Sequence, residues 1–246
     1  MTRSPRQLEF VIRTWGGRRR GAGRKPGPGR RRVPHRRRPL HDSHCPVHVT
    51  LRAAACLPSL RCDRLFAPIT VALATASRDG FRLLHFSLQA DHLHLLVEAD
   101  APMRLARGMQ ALAIRVARAV NRALRRSGKV WVDRYHAREL PTPREIRNAL
   151  VYVLNNWRKH IPGARGLDPR SSARWFEGWK ERLRQDVPPS PVATARTWLA
   201  RVGWRRHGLL EIDEAPRKAN RGPGAKRKTN GSFPKVALRA AHDPLG

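Results

Sequence analysis

The sequence predicts an α+β fold in which helices cover an antiparallel sheet. Apolar and polar residues alternate in three short segments, which is typical of strands with one buried face. Apolar residues at helical spacing predict helices between and after them. The predicted strands are residues 47–52, 81–88, 92–98 and about 130–140, and the predicted helices are residues 60–77, 102–127 and 142–159. This order of elements is typical of a ferredoxin-like α+β sandwich.

Basic residues far outnumber acidic ones in this chain. It has 51 Lys and Arg against 18 Asp and Glu among 246 residues, a formal net charge of +33. A packed domain gains nothing from such an excess, so a polyanion is the expected partner, with nucleic acid first and an anionic membrane surface second. No apolar run is long enough to cross a membrane. The three cysteines form no CxxC pair, which indicates reduced thiols in a cytoplasm.

Changes in composition divide the chain into four segments. Residues 1–43 are rich in Arg, Gly and Pro, and we expect a disordered basic tail. Residues 44–162 hold the predicted sheet and form the main domain. Residues 163–213 contain four of the seven tryptophans and predict a helical extension, which packs on the main domain more readily than it stacks on bases. Residues 214–246 predict a second basic, flexible tail.

Two histidines lie one residue apart in a predicted strand. Successive side chains of a strand point to opposite faces, so His92 and His94 share one face while Leu93 and Leu95 share the other. Two imidazoles on one face can hold a metal ion. The alternative is an ordinary surface or packing pair, and the spacing alone does not decide between the two.

The chain contains two tyrosines, and only one needs a functional explanation. Tyr135 lies in a predicted strand, where packing accounts for it. Tyr152 lies on the polar side of its helix, and Asn156 follows one turn later with an amide oxygen that can ligate a hard cation. A tyrosine hydroxyl can attack a phosphorus that a metal ion polarises. A surface tyrosine without a function is the alternative.

Arginines on several elements are candidates for contact with DNA phosphates. The helix over residues 102–127 has an arginine stripe and no acidic residue, so no intrahelical ion pair neutralises the stripe. A solvated charged surface is the alternative to phosphate binding. The basic residues of two strands alternate onto polar faces. The candidate DNA-binding residues are Arg52, Arg115, Arg118, Arg122, Arg134, His136 and Arg138.

Four motifs in this order resemble the single-tyrosine HUH transposases, which include the REP-associated tyrosine transposases of bacteria. They are "PVHVTLR", "DHLHLLVEA", "WVDRYHARE" and "ALVYVLNN", within about residues 46–160. The resemblance implies that His92, His94 and Asn156 bind Mg²⁺ or Mn²⁺ and that Tyr152 is the nucleophile. The pair Asn156-Trp157 departs from the Asn-Pro that relatives often carry, and the extension and the basic tail are not part of the minimal domain.

The resemblance also implies a reaction and a partner. We expect a transposase that cleaves and rejoins single-stranded DNA, often with a hairpin, through a 5′-phosphotyrosine. It would act as a monomer or homodimer in the bacterial cytoplasm, associated with the nucleoid. One alternative is a nucleic-acid-binding protein on the same fold that does not cleave. Another is a metal-dependent hydrolase of small phosphoesters, which the net charge of +33 disfavours.

Deletion of residues 1–43 tests the role of the basic tail. Arginines that contact phosphates displace condensed counterions, so the affinity for single-stranded DNA should fall steeply with salt. The truncated protein should show a flatter slope of log affinity against log salt and an unchanged sequence preference in fluorescence anisotropy titrations. An unchanged slope would mean that the tail does not contact phosphates.

Overall fold

The computed structural model describes residues 40–159, 161, 163–182 and 188–216. Nearly all of the two predicted basic tails therefore lies outside the described residues. The helices and strands are β1 (Val47–Arg52), α1 (Asp63–Ala74), β2 (Phe81–Leu88), β3 (His92–Ala99), α2 (Pro102–Ala123), β4 (His136–Glu139), α3 (Pro143–Asn155) and α4 (Trp198–Arg201). Turns of 3₁₀ helix are Asn156–Lys159, which continues α3, and Ala173–Trp175 and Gly203–His207 in the extension.

The four strands form one antiparallel sheet in the order β2-β3-β1-β4. Strand β1 lies between β3 and β4, and its register places Thr50 opposite both His94 of β3 and His136 of β4. Helices α1 and α2 connect the strands in the βαββαβ order. The predicted α+β, ferredoxin-like architecture is confirmed.

One face of the sheet forms the main hydrophobic core with α1 and α2. Leu93, Leu95 and Val97 of β3 are fully buried there, as their alternation predicts. Helix α2 covers them with one apolar stripe, Leu105, Met109, Leu112, Val116 and Val120. The opposite side of α2 carries the arginines. No helix in the described part of the chain is long and apolar enough to cross a membrane.

The other face of the sheet is covered by α3 and the extension. Leu84 and Leu96 form a second apolar cluster with Leu150 of α3 and with aromatic rings of the extension. Those rings are Phe176, Trp179 and Trp204. The tryptophan-rich extension thus packs on the main domain, as expected, and completes the core around α3.

Two buried carboxylates fasten the extension to the sheet. Glu98 accepts hydrogen bonds from the backbone N–H and the hydroxyl of Thr197, at 3.0 and 2.6 Å, and from Arg82 Nε at 3.1 Å. Asp168 accepts two from Arg61, at 2.8 and 3.0 Å. A buried charge without partners is costly, so these pairs make the docked position of the extension specific.

Strand β4 is shorter than the sequence predicts. The alternation from Val130 onward suggested a continuous strand, but the regular strand begins only at His136. Asp133 explains part of the difference, because its carboxylate accepts the N–H of Arg134 at 2.8 Å and withdraws that amide from the sheet ladder. Arg134 therefore lies before β4 and not on the same strand as His136.

The extension is also less helical than predicted. Its described part contains one α-helix, Trp198–Arg201, and two short 3₁₀ turns. Tertiary packing of the aromatic rings overrides the local helical pattern. A side chain at Gly178 would meet the rings of Phe176 and Trp204 at 2.4 Å, so the chain passes these rings as an extended segment.

Gly108 of α2 tests how tightly the first core is packed. An alanine Cβ there would lie 2.2 Å from the buried ring of Phe81. Alanine favours a helix over glycine by about 1 kcal/mol, but overpacking costs about 1–3 kcal/mol. We expect Gly108→Ala to lower the free energy of unfolding in urea titrations, and Phe81→Leu to recover part of the loss in the double variant. Arg107→Ala, at an exposed neighbour, is the control, and a more stable Gly108→Ala protein would contradict this packing.

Candidate active site

His92 and His94 lie side by side on the sheet face that α3 covers. Their ring centroids are 4.6 Å apart and the ring planes are nearly perpendicular. His94 is buried and His92 is partly buried toward the end of the strand. Because side chains alternate along β3, His92 and His94 lie on one face, while Leu93 and Leu95 enter the main core on the other.

Tyr152 on α3 lies directly against His94. The two ring centroids are 4.9 Å apart, in an edge-to-face arrangement. Helix α3 begins at a capped N-terminus, where Thr142 Oγ1 accepts the N–H of Glu145 at 3.3 Å, and its apolar residues fix it on the sheet. Burial raises the pKa of the Tyr152 hydroxyl above its ordinary value.

Asn156 lies one turn after Tyr152, at the junction of α3 and its 3₁₀ turn. The sequence placed it on a polar helix side, but the structure buries it between the helix and the sheet. Its Nδ2 is 3.5 Å from Nε2 of His94. Because rotation of the amide exchanges its oxygen and nitrogen, Oδ1 can occupy the same position.

Asp91 orients His92 from the turn before β3. Its Oδ1 is 2.6 Å from Nδ1 of His92, and its Oδ2 accepts a hydrogen bond from Arg52 at 2.9 Å. The hydrogen bond with His92 lowers the pKa of the Asp91 carboxyl, with a smaller contribution from Arg52. A carboxylate on Nδ1 orients the ring, as is common for metal-binding histidines.

His48 is a part of this cluster that sequence reasoning missed. Its Nε2 is 3.3 Å from Nδ1 of His94, and its ring centroid is 5.5 Å from that of Tyr152. Burial lowers the pKa of His48 to about 4, with the charges of His136 and Arg138 contributing less. The alternation of β1 placed His48 on a polar face, but only the register with β3 could show which histidine it meets.

Lys159 is a second residue that the sequence did not single out. Its Nζ lies 4.9 Å from the centroid of the Tyr152 ring. Burial lowers the pKa of this ammonium group. Among the described residues no carboxylate forms an ion pair with it, so a cation lies beside the candidate nucleophile without a neutralising acid.

The candidate DNA-binding residues divide between the two sides of the molecule. His136 lies opposite Thr50 and Arg138 opposite His48, so both extend the face that carries His94. Arg138 also donates to Glu145 at 2.6 Å. Arg52 is paired with Asp91, as described above, and Arg134 lies in the irregular segment before β4.

Three of the candidate arginines are remote from Tyr152. Arg115, Arg118 and Arg122 lie on α2, which packs on the opposite face of the sheet. They line a groove of about 580 Å³ between α1 and α2. Arg115 donates to the carbonyl oxygen of Thr75 at 2.7 Å, whereas Arg118 and Arg122 are exposed. The structure therefore does not bring these three residues to the histidine cluster.

The donors around His94 fit a metal site only if an amide takes part. Within the described residues, no group of three or more His, Cys, Asp or Glu side chains is placed to hold a metal ion. His92 and His94 supply two imidazoles, and the third protein donor would be the amide oxygen of Asn156. Imidazole and amide oxygen together accept a first-row divalent ion and leave positions for water and phosphate oxygens.

The family comparison covers this whole cluster. Residues 47–156 match the family model described as "Transposase IS200 like", and the matched range includes His48, His92, His94, Tyr152 and Asn156. These residues, which are fewer than half of the chain, are similar to the IS200-like transposases. The resemblance found in the sequence motifs is thereby confirmed over this range.

The solved structures that are similar to the chain include one described as "Structure of the REP associates tyrosine transposase bound to a REP hairpin". The similarity has a TM-score of 0.44 and 14% sequence identity, and it covers 52% of this chain and 74% of that one. No curated protein matches the chain in sequence.

Arg147 tests how firmly the extension holds the tyrosine helix. Its guanidinium binds both carboxylate oxygens of Glu214, at 2.6 and 2.8 Å, and donates to the carbonyl oxygens of Gly208 and Leu209. Hydrogen bonds to charged groups contribute about 1.5–3 kcal/mol each. We expect Arg147→Ala to speed amide hydrogen exchange throughout α3, while Arg144→Ala, at an exposed position of the same helix, leaves exchange unchanged. Equal exchange in both variants would contradict a clamped helix.

Proposed function

We propose that this transposase domain cleaves and rejoins single-stranded DNA through a 5′-phosphotyrosine at Tyr152. The observation that carries the proposal is the placement of Tyr152 at 4.9 Å from His94, measured between ring centroids, with Asn156 at the same histidine. The packing of Tyr152 alone would not require a histidine pair and an amide as its neighbours. The match of residues 47–156 to a transposase family model supports the same reaction.

His92, His94 and Asn156 would hold the divalent ion, Mg²⁺ or Mn²⁺. Both histidines bond through Nδ1, to Asp91 and to His48 respectively, so Nε2 is the nitrogen of each that a metal would take. The Asn156 amide would turn its oxygen toward the same point. When bound, a divalent ion supplies positive charge that stabilises the phosphate oxygens during attack.

Tyr152 would perform the bond exchange. Its Oη forms a bond to phosphorus while the bond from phosphorus to the 3′ oxygen breaks, and the 5′ phosphate remains on the tyrosine. The phenol loses its proton as this bond forms, and the departing oxygen gains one to become a 3′-OH. Because one phosphoester replaces another, the 3′-OH of a second strand can reverse the step without ATP. Burial raises the pKa of Tyr152, so the hydroxyl is protonated before attack.

We propose two regions of DNA contact. His136, Arg138 and Arg52 would position the strand that is cut, since they lie on the strands that form the sheet face of the candidate site. Arg134, which comes just before β4, would bind the same strand. Arg115, Arg118 and Arg122 would bind phosphates farther along the DNA, such as those of a hairpin, because they lie on the opposite side of the sheet. Exposed arginines without acidic neighbours on their own helix favour phosphate as the ligand.

The residues of the proposed site come from one chain. His48, His92, His94, Tyr152 and Asn156 belong to one sheet and the helix that follows it, so the proposed site would form in a monomer as well as in a homodimer. We propose a main domain at residues 44–162 that functions together with the extension at residues 163–213. We propose a cytoplasmic location, which the three free cysteines support, and association with the nucleoid, which the net charge of +33 supports.

A DNA-binding protein that does not cleave is the second candidate. The net charge of +33 and the arginines on both sides of the sheet support it, because binding alone would explain them. Such a protein would keep the sheet, the arginines and the affinity for single-stranded DNA. The formation of a covalent adduct distinguishes it from the transposase.

Replacement of Tyr152 by Phe is the principal test. The change keeps the ring and its contacts but removes the attacking oxygen, so Tyr152→Phe should bind DNA normally and form no adduct. The wild-type protein should form one on cleavable single-stranded DNA that survives denaturing gel electrophoresis. Tyr135→Phe is the control, because Tyr135 packs against the core on the other face of the sheet and should retain adduct formation. An adduct that persists in Tyr152→Phe would show that another residue is the nucleophile.

Removal of the two imidazoles tests the metal site. The double variant His92→Ala and His94→Ala should lose cleavage at low Mg²⁺ and keep most of the electrostatic affinity for DNA. Asn156→Ala should have a milder defect, because water can replace an amide ligand. The measurements are calorimetric titration with Mn²⁺ and cleavage in gels, and full cleavage by the double variant in the presence of a chelator would exclude a metal role.

A further inference from the structure

His48 is a partly buried histidine that the proposed reaction does not use directly. Its Nε2 lies 3.3 Å from Nδ1 of His94, and the two rings are stacked with centroids 5.3 Å apart. Thr50, the next residue on the same face of β1, places its hydroxyl 3.2 Å from the same Nδ1. His94 therefore meets a nitrogen and a hydroxyl at one ring atom, and both come from β1.

The state of His94 Nδ1 decides whether this histidine can bind a metal. A neutral imidazole carries one proton, and the other nitrogen has the lone pair. A metal can use Nε2 only when the proton is on Nδ1. Nδ1 must then donate a hydrogen bond, and Nε2 of His48 can accept it. Nε2 of His94 faces the amide nitrogen of Asn156 at 3.5 Å, and that nitrogen can donate to a lone pair there.

Thr50 makes the opposite arrangement possible as well. A hydroxyl can donate to a lone pair on Nδ1, and the proton of His94 would then sit on Nε2, where it blocks a metal. That arrangement is opposed when His48 carries its own proton on Nδ1, since the lone pair on its Nε2 would then face the lone pair of His94 across 3.3 Å. Thr50 and His48 can thus favour different tautomers of the His94 ring, and His48 with its proton on Nδ1 favours the tautomer that can bind a metal.

We propose that His48 is a positioning residue that holds His94 in the tautomer with its proton on Nδ1, so that Nε2 is available to a divalent cation. This inference rests on the proposed function, because it assigns His94 to the metal. It extends the site to β1, a strand that supplies no ligand. It also accounts for a histidine that lies partly buried among His94, Thr50 and Tyr152 instead of in the apolar core.

The tautomer can be measured without metal, DNA or activity. Long-range ¹H–¹⁵N correlation spectra of the imidazoles distinguish the two protonated nitrogens, and the signals missing from His94→Ala identify His94. We expect the proton on Nδ1 in the wild-type protein. His48→Leu removes the acceptor and should move the proton to Nε2, whereas His48→Gln keeps an amide oxygen as acceptor and should restore Nδ1. Thr50→Val removes the competing hydroxyl and should leave the proton on Nδ1.

Titration of the same proteins with Mn²⁺ gives the functional readout. Loss of a residue that orients a metal-binding histidine costs about 10–100-fold in metal affinity, so His48→Leu should bind Mn²⁺ correspondingly more weakly and His48→Gln nearly as well as the wild type. A proton on Nε2 in the wild type, or an unchanged tautomer in His48→Leu, would overturn the inference. If His48→Leu does not fold, the tautomers of the wild type and His48→Gln still decide, and a proton on Nε2 in either overturns it.

The outcome is separable from that of the proposed function. A wild-type protein that forms the DNA adduct and binds Mn²⁺, but whose His94 tautomer is independent of His48, refutes the positioning role alone. A wild-type protein that forms no adduct on a cleavable strand refutes the transposase reaction, whatever the tautomer.

Discussion

Strand β3 places Leu93, Leu95 and Val97 on one face and His92 and His94 on the other, and the position of the candidate site depends on this division. Leu93, Leu95 and Val97 enter the main core, and their burial against α1 and α2 fixes the register and tilt of the strand. His92 and His94, which point the other way, are thereby held on the opposite face of the sheet. A slip of one residue would send the histidines into the core and the leucines out, so the hydrophobic packing also determines where the candidate site lies.

The polar side chains on this face of the sheet need a cover, and α3 and the extension provide it. Helix α3 covers His94 and buries Asn156, and it is held from its far side by Arg147, Asn155 and Arg158. Each of these three side chains donates hydrogen bonds to carbonyl or carboxylate oxygens of residues 208–214. The extension is therefore part of the structure that places Tyr152, and its tryptophans fill the space around the helix.

The sequence was sufficient to predict the elements that have a clear period. Strands β2 and β3, the stripe of α2 and the Thr142 cap of α3 appear where alternation, helical spacing and cap chemistry predicted them. The pairing of a histidine strand with a tyrosine helix also followed from the motifs. These features are local, so a single stretch of sequence contains the information.

Features that depend on contacts between distant residues could not be predicted. The register of β1 against β3 brings His48 to His94, and nothing in the segment around His48 specifies that partner. Helix α2 packs on the sheet face opposite Tyr152, so Arg115, Arg118 and Arg122 lie away from the histidine cluster, which their local pattern does not reveal. The extension has less helix than predicted because its aromatic rings pack around Gly178, which is a tertiary effect.

The most direct measurement of the central claim is mass spectrometry of the protein–DNA adduct after digestion with trypsin and nuclease. The two tyrosines fall in different tryptic peptides, since Arg134 and Arg138 bound the one with Tyr135 and Arg147 and Arg158 bound the one with Tyr152. The account predicts a nucleotide remnant on Tyr152 in the peptide of residues 148–158. A remnant on the peptide of residues 135–138, or on any residue other than Tyr152, would contradict it.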